Sequence, residues 1–125
     1  MIKLIKEVGK AYNTLNHNVL DASLDDGIIY ESQNVLKALK GKKAVMEYLE
    51  GKFATIRKLE NHVYAELGFL DEAKQKPCII LSQGSKENKG ALILVEENNN
   101  KITRIDICTV APHWTSAIRT NEYPN

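Results

Sequence analysis

"ALILVEENNNKITRIDICTV", residues Ala91 to Val110, decides how this chain folds. Two runs rich in aliphatic and β-branched residues flank three asparagines. Side chains branched at Cβ suit a pleated strand, and asparagine tolerates the left-handed backbone of a tight turn. The stretch therefore reads as a β-hairpin, closed around Asn98 to Asn100 by a two- or three-residue loop. The loop length sets which residues of the first arm share a face with Asp106. In the second arm Arg104 and Asp106 stand two apart and lie on one face, while Ile105 and Ile107 take the other. If the isoleucines look inward, the charged pair belongs to the outer face.

Working toward the N-terminus, "CIILSQG" (Cys78 to Gly84) is a nearly unbroken apolar strand, and the turn "SKENKG" joins it to the hairpin. "KLENHVYAELGFL" (Lys58 to Leu70) has a period of two, with Leu59, Val63 and Leu67 against Glu60, His62, Tyr64 and Glu66. The turn "DEAKQKP" follows it, which completes four long antiparallel strands. "KKAVMEYLEGKFATI" (Lys42 to Ile56) is a helix with Val45, Leu49, Phe53 and Ile56 as its buried stripe and Tyr48 beside it. Gly51 within it costs about 1 kcal/mol relative to Ala, so close packing is expected there.

Further upstream, "LDDG" (Leu24 to Gly27) reads as a turn, "IIYESQ" as a strand and "NVLKALKG" as its partner. Ile2, Ile5, Val8, Tyr12, Leu15 and Val19 recur at steps of three and four, the mark of an amphipathic helix. "NHN" at Asn16 to Asn18 breaks it, so a second short helix starts near Val19. After Val110 the tail, about residues 111–125, has no clear period. Helices precede the sheet, an α+β arrangement of about three helices and five to six strands in one domain, residues 1–125.

Composition narrows the classes of function. The chain has 125 residues, 43% hydrophobic and 26% charged, as in globular proteins. Its 17 basic and 16 acidic residues leave a net charge of +1, with no electrostatic footprint for nucleic acid or anionic membrane. No apolar run approaches the roughly 20 residues of a spanning helix. "MIKLIKEVGKAY" alternates apolar and charged residues, unlike an export signal, so a cytoplasmic location is expected. Cys78 and Cys108 stand alone in strand-like runs and read as reduced, buried thiols. No spacing of His or Cys suits a metal, and no cofactor motif is present in the sequence.

"CIILS", "ALILV" and "IDICTV" carry apolar residues on both faces, where a sheet wetted on one side would alternate. Helices cover one face. A homodimer through the outer sheet face is the simplest cover for the other.

The order of elements, together with "DDGIIYESQ", "LKGKKAVMEYLEGKF" and "NNNKITRIDICTV", resembles the nuclear-transport-factor-2-like superfamily, which includes the SnoaL-like domains. The resemblance runs from about Ile2 to Val110. It implies a cone: a curved antiparallel sheet wrapped around the helices, with a pocket inside. Isomerases, dehydratases, epoxide hydrolases, polyketide cyclases and non-catalytic protein-binding domains share that fold, so fold alone does not set function.

Candidate residues follow from this picture. Asp106 inside an apolar cone would have a raised pKa and serve as a general base; otherwise it and Arg104 lie on the outer or interface face and pair with neighbours. Tyr30, Tyr48 and Tyr64 are candidates to point hydroxyls into the pocket, with Ile107 on its apolar wall, and they are equally ordinary core rings. His62 and Glu66 share a face and make either an acid–base pair or a solvated edge. Lys42 and Lys43 open a helix, and Trp114 is the sole Trp, in the tail. The leading expectation is a small-molecule-binding protein with a mostly apolar pocket. The alternatives are an isomerase- or dehydratase-like enzyme using Asp106, and a non-catalytic dimeric interaction domain.

Overall fold

The computed structural model describes residues 2–33, 37–59, 62–109 and 117–125. Its elements are α1 (Ile2–Thr14), a 3-10 turn (His17–Leu20), β1 (Leu24–Ser32), β2 (Leu39–Lys40) and α2 (Lys42–Lys58), then β3 (Val63–Phe69), β4 (Pro77–Gln83), β5 (Lys89–Asn98), β6 (Lys101–Cys108) and β7 (Ile118–Glu122). The expected α+β class holds. Among the described residues, two α-helices and a 3-10 turn stand where three helices were expected, and seven strands where five or six were.

The strands form one sheet in the order β2-β1-β6-β5-β4-β3-β7. Among the described residues only β1 and β6 run parallel, and the other pairs are antiparallel. In the β5–β6 hairpin Asn98 stands opposite Lys101. Asn99 and Asn100 have φ of 52° and 65°, so the loop is of the two-residue kind. That register sets Leu94 against Asp106 and Ile93 against Ile107. A shift between Glu96 and Glu97 adds a local bend to the hairpin.

The inner face of the curved sheet packs on the helices. Ile5, Val8 and Tyr12 of α1 and Leu49 and Phe53 of α2 meet Leu67, Ile79, Ile93 and Ile105 in one core. Each such side chain contributes about 1.5–3 kcal/mol on burial. α2 begins at Gly41, whose φ of +96° is open to glycine and strained for other residues. The Gly41 N–H donates to Ile28 O at 2.8 Å, which ties the helix start to β1. At the other end of the core, Asn13 of α1 acts as a side-chain strand neighbour. Its Nδ2 donates to Ala65 O (2.8 Å) and Pro124 O (2.6 Å), while its Oδ1 accepts from Ala65 N (2.7 Å).

Several sequence expectations are corrected here. "LDDG" opens β1 instead of forming a separate turn: Leu24 pairs with Ile102, and a register shift before Ile29 absorbs Asp25 to Gly27. The partner strand is only Leu39–Lys40, and Asn34 to Leu36 lie outside the described residues. Part of the supposedly irregular tail is β7, which extends the sheet beside β3. His113 and Trp114 lie outside the described residues. Gly51 is exposed and a Cβ there would meet nothing within 4 Å; the tight approaches are at Gly68, where a Cβ would come within 2.7 Å of Ile80 Cδ1, and at Gly9, where it would come within 2.9 Å of Ile79 Cδ1. Among the described residues no helix is long and apolar enough to cross a membrane.

Candidate functional site

The concave side of the sheet leaves a cleft of about 490 Å³ between the two helices and the strands. Its apolar wall comes from Ile56, Val63, Leu81, Ala91 and Ile107. Tyr48, Lys52 and Ile56 enter it because residues four apart on α2 stack on one face. Tyr12 reaches it from α1. Ser32, Gln83, Asn88, Lys89 and Thr109 form a polar rim.

Three tyrosines gather at the inner end. The Tyr30 and Tyr48 rings lie 5.1 Å apart, tilted by 50°, and Tyr12 meets Phe53 edge-on at 5.0 Å. Tyr12 is 2% exposed and Tyr30 is 1% exposed. The Tyr12, Tyr30 and Tyr48 hydroxyls crowd one another, yet those of Tyr12 and Tyr30 reach no partner with hydrogen-bonding geometry. Burial, reinforced at Tyr30 by the neighbouring phenols, raises both pKa values well above the ordinary tyrosine range.

Lys52 completes the group. Its Nζ lies 5.6 Å from the Tyr12 ring centroid and 5.9 Å from that of Tyr48, so the ammonium rests against two π faces. Desolvation by burial lowers its pKa. Among the described residues, no carboxylate pairs with it. The sequence reading passed over Lys52 and Tyr12 as site residues. The available signal was the spacing of Lys52, four residues from both Tyr48 and Ile56, which puts a cation on the edge of the buried stripe.

Of the sequence candidates, Tyr30, Tyr48 and Ile107 belong to this concave side, Tyr48 and Ile107 lining the cleft and Tyr30 behind it. Tyr64 does not: it pairs across from Ser82 in the alternation that Glu66 shares, on the outer face. There its ring lies 6.4 Å from Tyr123 and 6.1 Å from His62.

Asp106 is also on the outer face, because Ile105 and Ile107 take the inner positions of β6. Its Oδ2 accepts from Arg104 Nε at 3.0 Å. Arg104 also bonds Glu31 and approaches Glu96 at 3.7 Å. Hydrogen bonds donated to Asp106 first and Glu31 second hold that guanidinium firmly protonated.

His62 and Glu66 share the outer face but are not joined. His62 is exposed, whereas Glu66 is 1% exposed. Glu66 accepts from Arg119 Nε (2.9 Å), Asn121 N (2.8 Å) and Tyr123 Oη (3.3 Å). This buried carboxylate fastens β7 to β3. Lys42 pairs with Asp21 at 3.6 Å. Cys78 and Cys108 are free thiols on the outer side; burial pushes Cys78 up to about 12, with the Glu66 charge adding to it.

Comparison with known proteins fits this geometry. No family model matches the sequence, and no curated protein does either. Solved structures do match. An NTF2-like protein of unknown function from Mesorhizobium loti superposes with a TM-score of 0.67 at 9% identity, covering 87% of this chain and 89% of its own. A SnoaL-like protein of unknown function from Burkholderia thailandensis gives 0.65 at 12% identity, covering 89% and 98%. An epoxide hydrolase of the LEH-like kind from M. tuberculosis gives 0.56 at 12% identity, covering 90% and 81%. The chain thus has the NTF2-like, SnoaL-like fold.

Proposed function

We propose that the protein binds a small, largely apolar molecule in the cleft on the concave side of the sheet. The observation that carries this reading is the cleft itself: an apolar wall of Ile56, Val63, Leu81 and Ile107 ending at a few placed polar groups. Ligand sites are built in that way, and about 300–1,000 Å³ is their usual size. The reading built on Asp106 as a base draws no support from the cleft, since Asp106 stands on the opposite face.

The neutral fluorescent probe N-phenyl-1-naphthylamine tests the proposal. Its emission is expected to rise saturably with a Kd in the range of about 1–100 µM. Leu81→Trp fills the cleft and abolishes the signal while far-UV circular dichroism stays unchanged. Non-saturable binding, or undiminished binding to a folded Leu81→Trp protein, sinks it.

We propose in addition that two copies of the chain associate through the outer sheet face, around Leu94 and Cys108. These two side chains remain partly open beside the buried Ile80 and Leu92.

A further inference from the structure

We infer that the ligand carries an anionic oxygen group, a carboxylate in the simplest case, seated on the Lys52 ammonium between Tyr12 and Tyr48. This inference rests on the cleft being the binding site and goes beyond it by naming the chemistry of the ligand.

Three independent features point the same way. First, the cleft has a sign. Two lysines, Lys52 and Lys89, line it, and among the described residues no aspartate or glutamate does. The chain as a whole is nearly balanced, at 17 basic and 16 acidic residues. A low-dielectric recess with cations and no counter-charge concentrates anions.

Second, Lys52, desolvated by burial, has no carboxylate partner among the described residues, in contrast to several other cations of the fold. Lys6 pairs with Glu122, Lys42 with Asp21, Arg104 with three carboxylates and Arg119 with Glu66. Lys52 has only the faces of two rings. Cation–π contact compensates a desolvated ammonium in part, whereas a charge-assisted hydrogen bond to a carboxylate restores much more.

Third, Tyr12, at the floor of the cleft, has a buried phenol hydroxyl without a partner, and Tyr30 behind it has another. Buried polar groups are nearly always satisfied, and exceptions call for an explanation. Tyr12 lines the cleft directly. A carboxylate offers acceptor lone pairs and no donor, the complement of an ammonium with three N–H donors and a free phenol O–H. A neutral carbonyl would meet the hydroxyl need and leave the ammonium uncompensated. A cationic ligand would be repelled.

The test uses benzoate, 2-naphthoate and octanoate, each beside its neutral amide, in calorimetry or by displacement of the naphthylamine probe. At least one carboxylate is expected to bind about tenfold or more tightly than its amide. Lys52→Met should erase that preference and leave the amide within about twofold, while Lys52→Arg should retain it. Tyr12→Phe should weaken the carboxylate by several fold, and the amide too, since its carbonyl loses the same O–H donor.

Equal affinity for acid and amide in the wild-type protein overturns the anion inference and leaves the cleft reading standing. A preference that survives in Lys52→Met overturns it as well. If no carboxylate of the panel binds below about 1 mM, the inference is also overturned; the naphthylamine probe then decides separately whether the cleft reading falls with it.

Discussion

A buried hydroxyl without a partner costs about 1–3 kcal/mol, and this interior holds two of them, on Tyr12 and Tyr30. Phenylalanine keeps the ring and deletes the unsatisfied group. Tyr30→Phe is therefore expected to raise stability by about 1 kcal/mol in urea unfolding; a loss of that size would mean that the hydroxyl is satisfied after all. The same phenols set an alkaline limit. Folding raises their pKa above the value of 10.0 for the free side chain. Above that pH the unfolded chain releases protons that the folded chain retains, so ionisation favours unfolding. Stability is full below about pH 10 and falls as pH climbs beyond it. Tyr12→Phe/Tyr30→Phe should flatten that fall in melts recorded from neutral to alkaline pH. Lys52 contributes through the same cause with the opposite direction of shift: burial disfavours its charged form, which is the form that carries the proton. Lys52→Met is thus expected to raise the Tm of the ligand-free protein at neutral pH, the usual cost of a binding group kept in place. Tyr30, Tyr48 and Ile107 were legible as candidates because aromatic and β-branched residues on a buried stripe are conspicuous. Lys52 was not, since a lysine beside a helix stripe ordinarily reaches into water.

At the scale of elements, the α2 stripe and the four long strands were readable because periods of 3.6 and two persist over many residues. The failures occur where one element is defined by another. β7 has no period of its own; it lies along β3, where Glu66 takes hydrogen bonds from Arg119, Asn121 and Tyr123. "LDDG" looks like a turn locally, yet the chain there follows β6. Glycines tell the same story. Gly51 is exposed with open space around it, so Gly51→Ala should stabilise α2 by about 1 kcal/mol. Gly9→Ala should do the reverse, since its Cβ would sit 2.9 Å from Ile79 Cδ1 and 3.1 Å from Pro124 Cγ. Chemical unfolding of the two variants side by side checks both signs, and a stabilised Gly9→Ala would contradict the packing described. For β7, Arg119→Met leaves the Glu66 carboxylate buried with less compensation. Amide exchange of Thr120 to Glu122 should accelerate in that variant, and Glu66→Gln in the same chain should restore part of the protection. Unchanged exchange would mean that β7 is held by its backbone bonds alone.

The whole molecule divides its labour between the two faces of one sheet. The inner face meets the helices and leaves the cleft; its chemistry is apolar with one cluster of phenols and an ammonium. The outer face was expected to need a second cover because its strands are apolar on both sides. Much of that need is met within the chain, since Cys78, Ile80 and Leu92 are buried there with Ala117. What remains open is narrower: Leu94 and Cys108, adjoining Asp106 and the Arg104 cluster. A homodimer centred on Leu94 would therefore be held by a small apolar area ringed by charge, and its affinity should be modest and salt-sensitive. Sedimentation velocity at about 50 µM should give a species of twice the chain mass that dissociates on dilution to about 1 µM. Leu94→Arg should yield monomer at both concentrations and leave naphthylamine binding intact, because Leu94 and the cleft lie on opposite faces of β5. A wild-type monomer at the higher concentration removes the dimer. Loss of probe binding in a monomeric, folded Leu94→Arg protein would instead reveal that the cleft depends on the partner copy, and that the two faces are not independent.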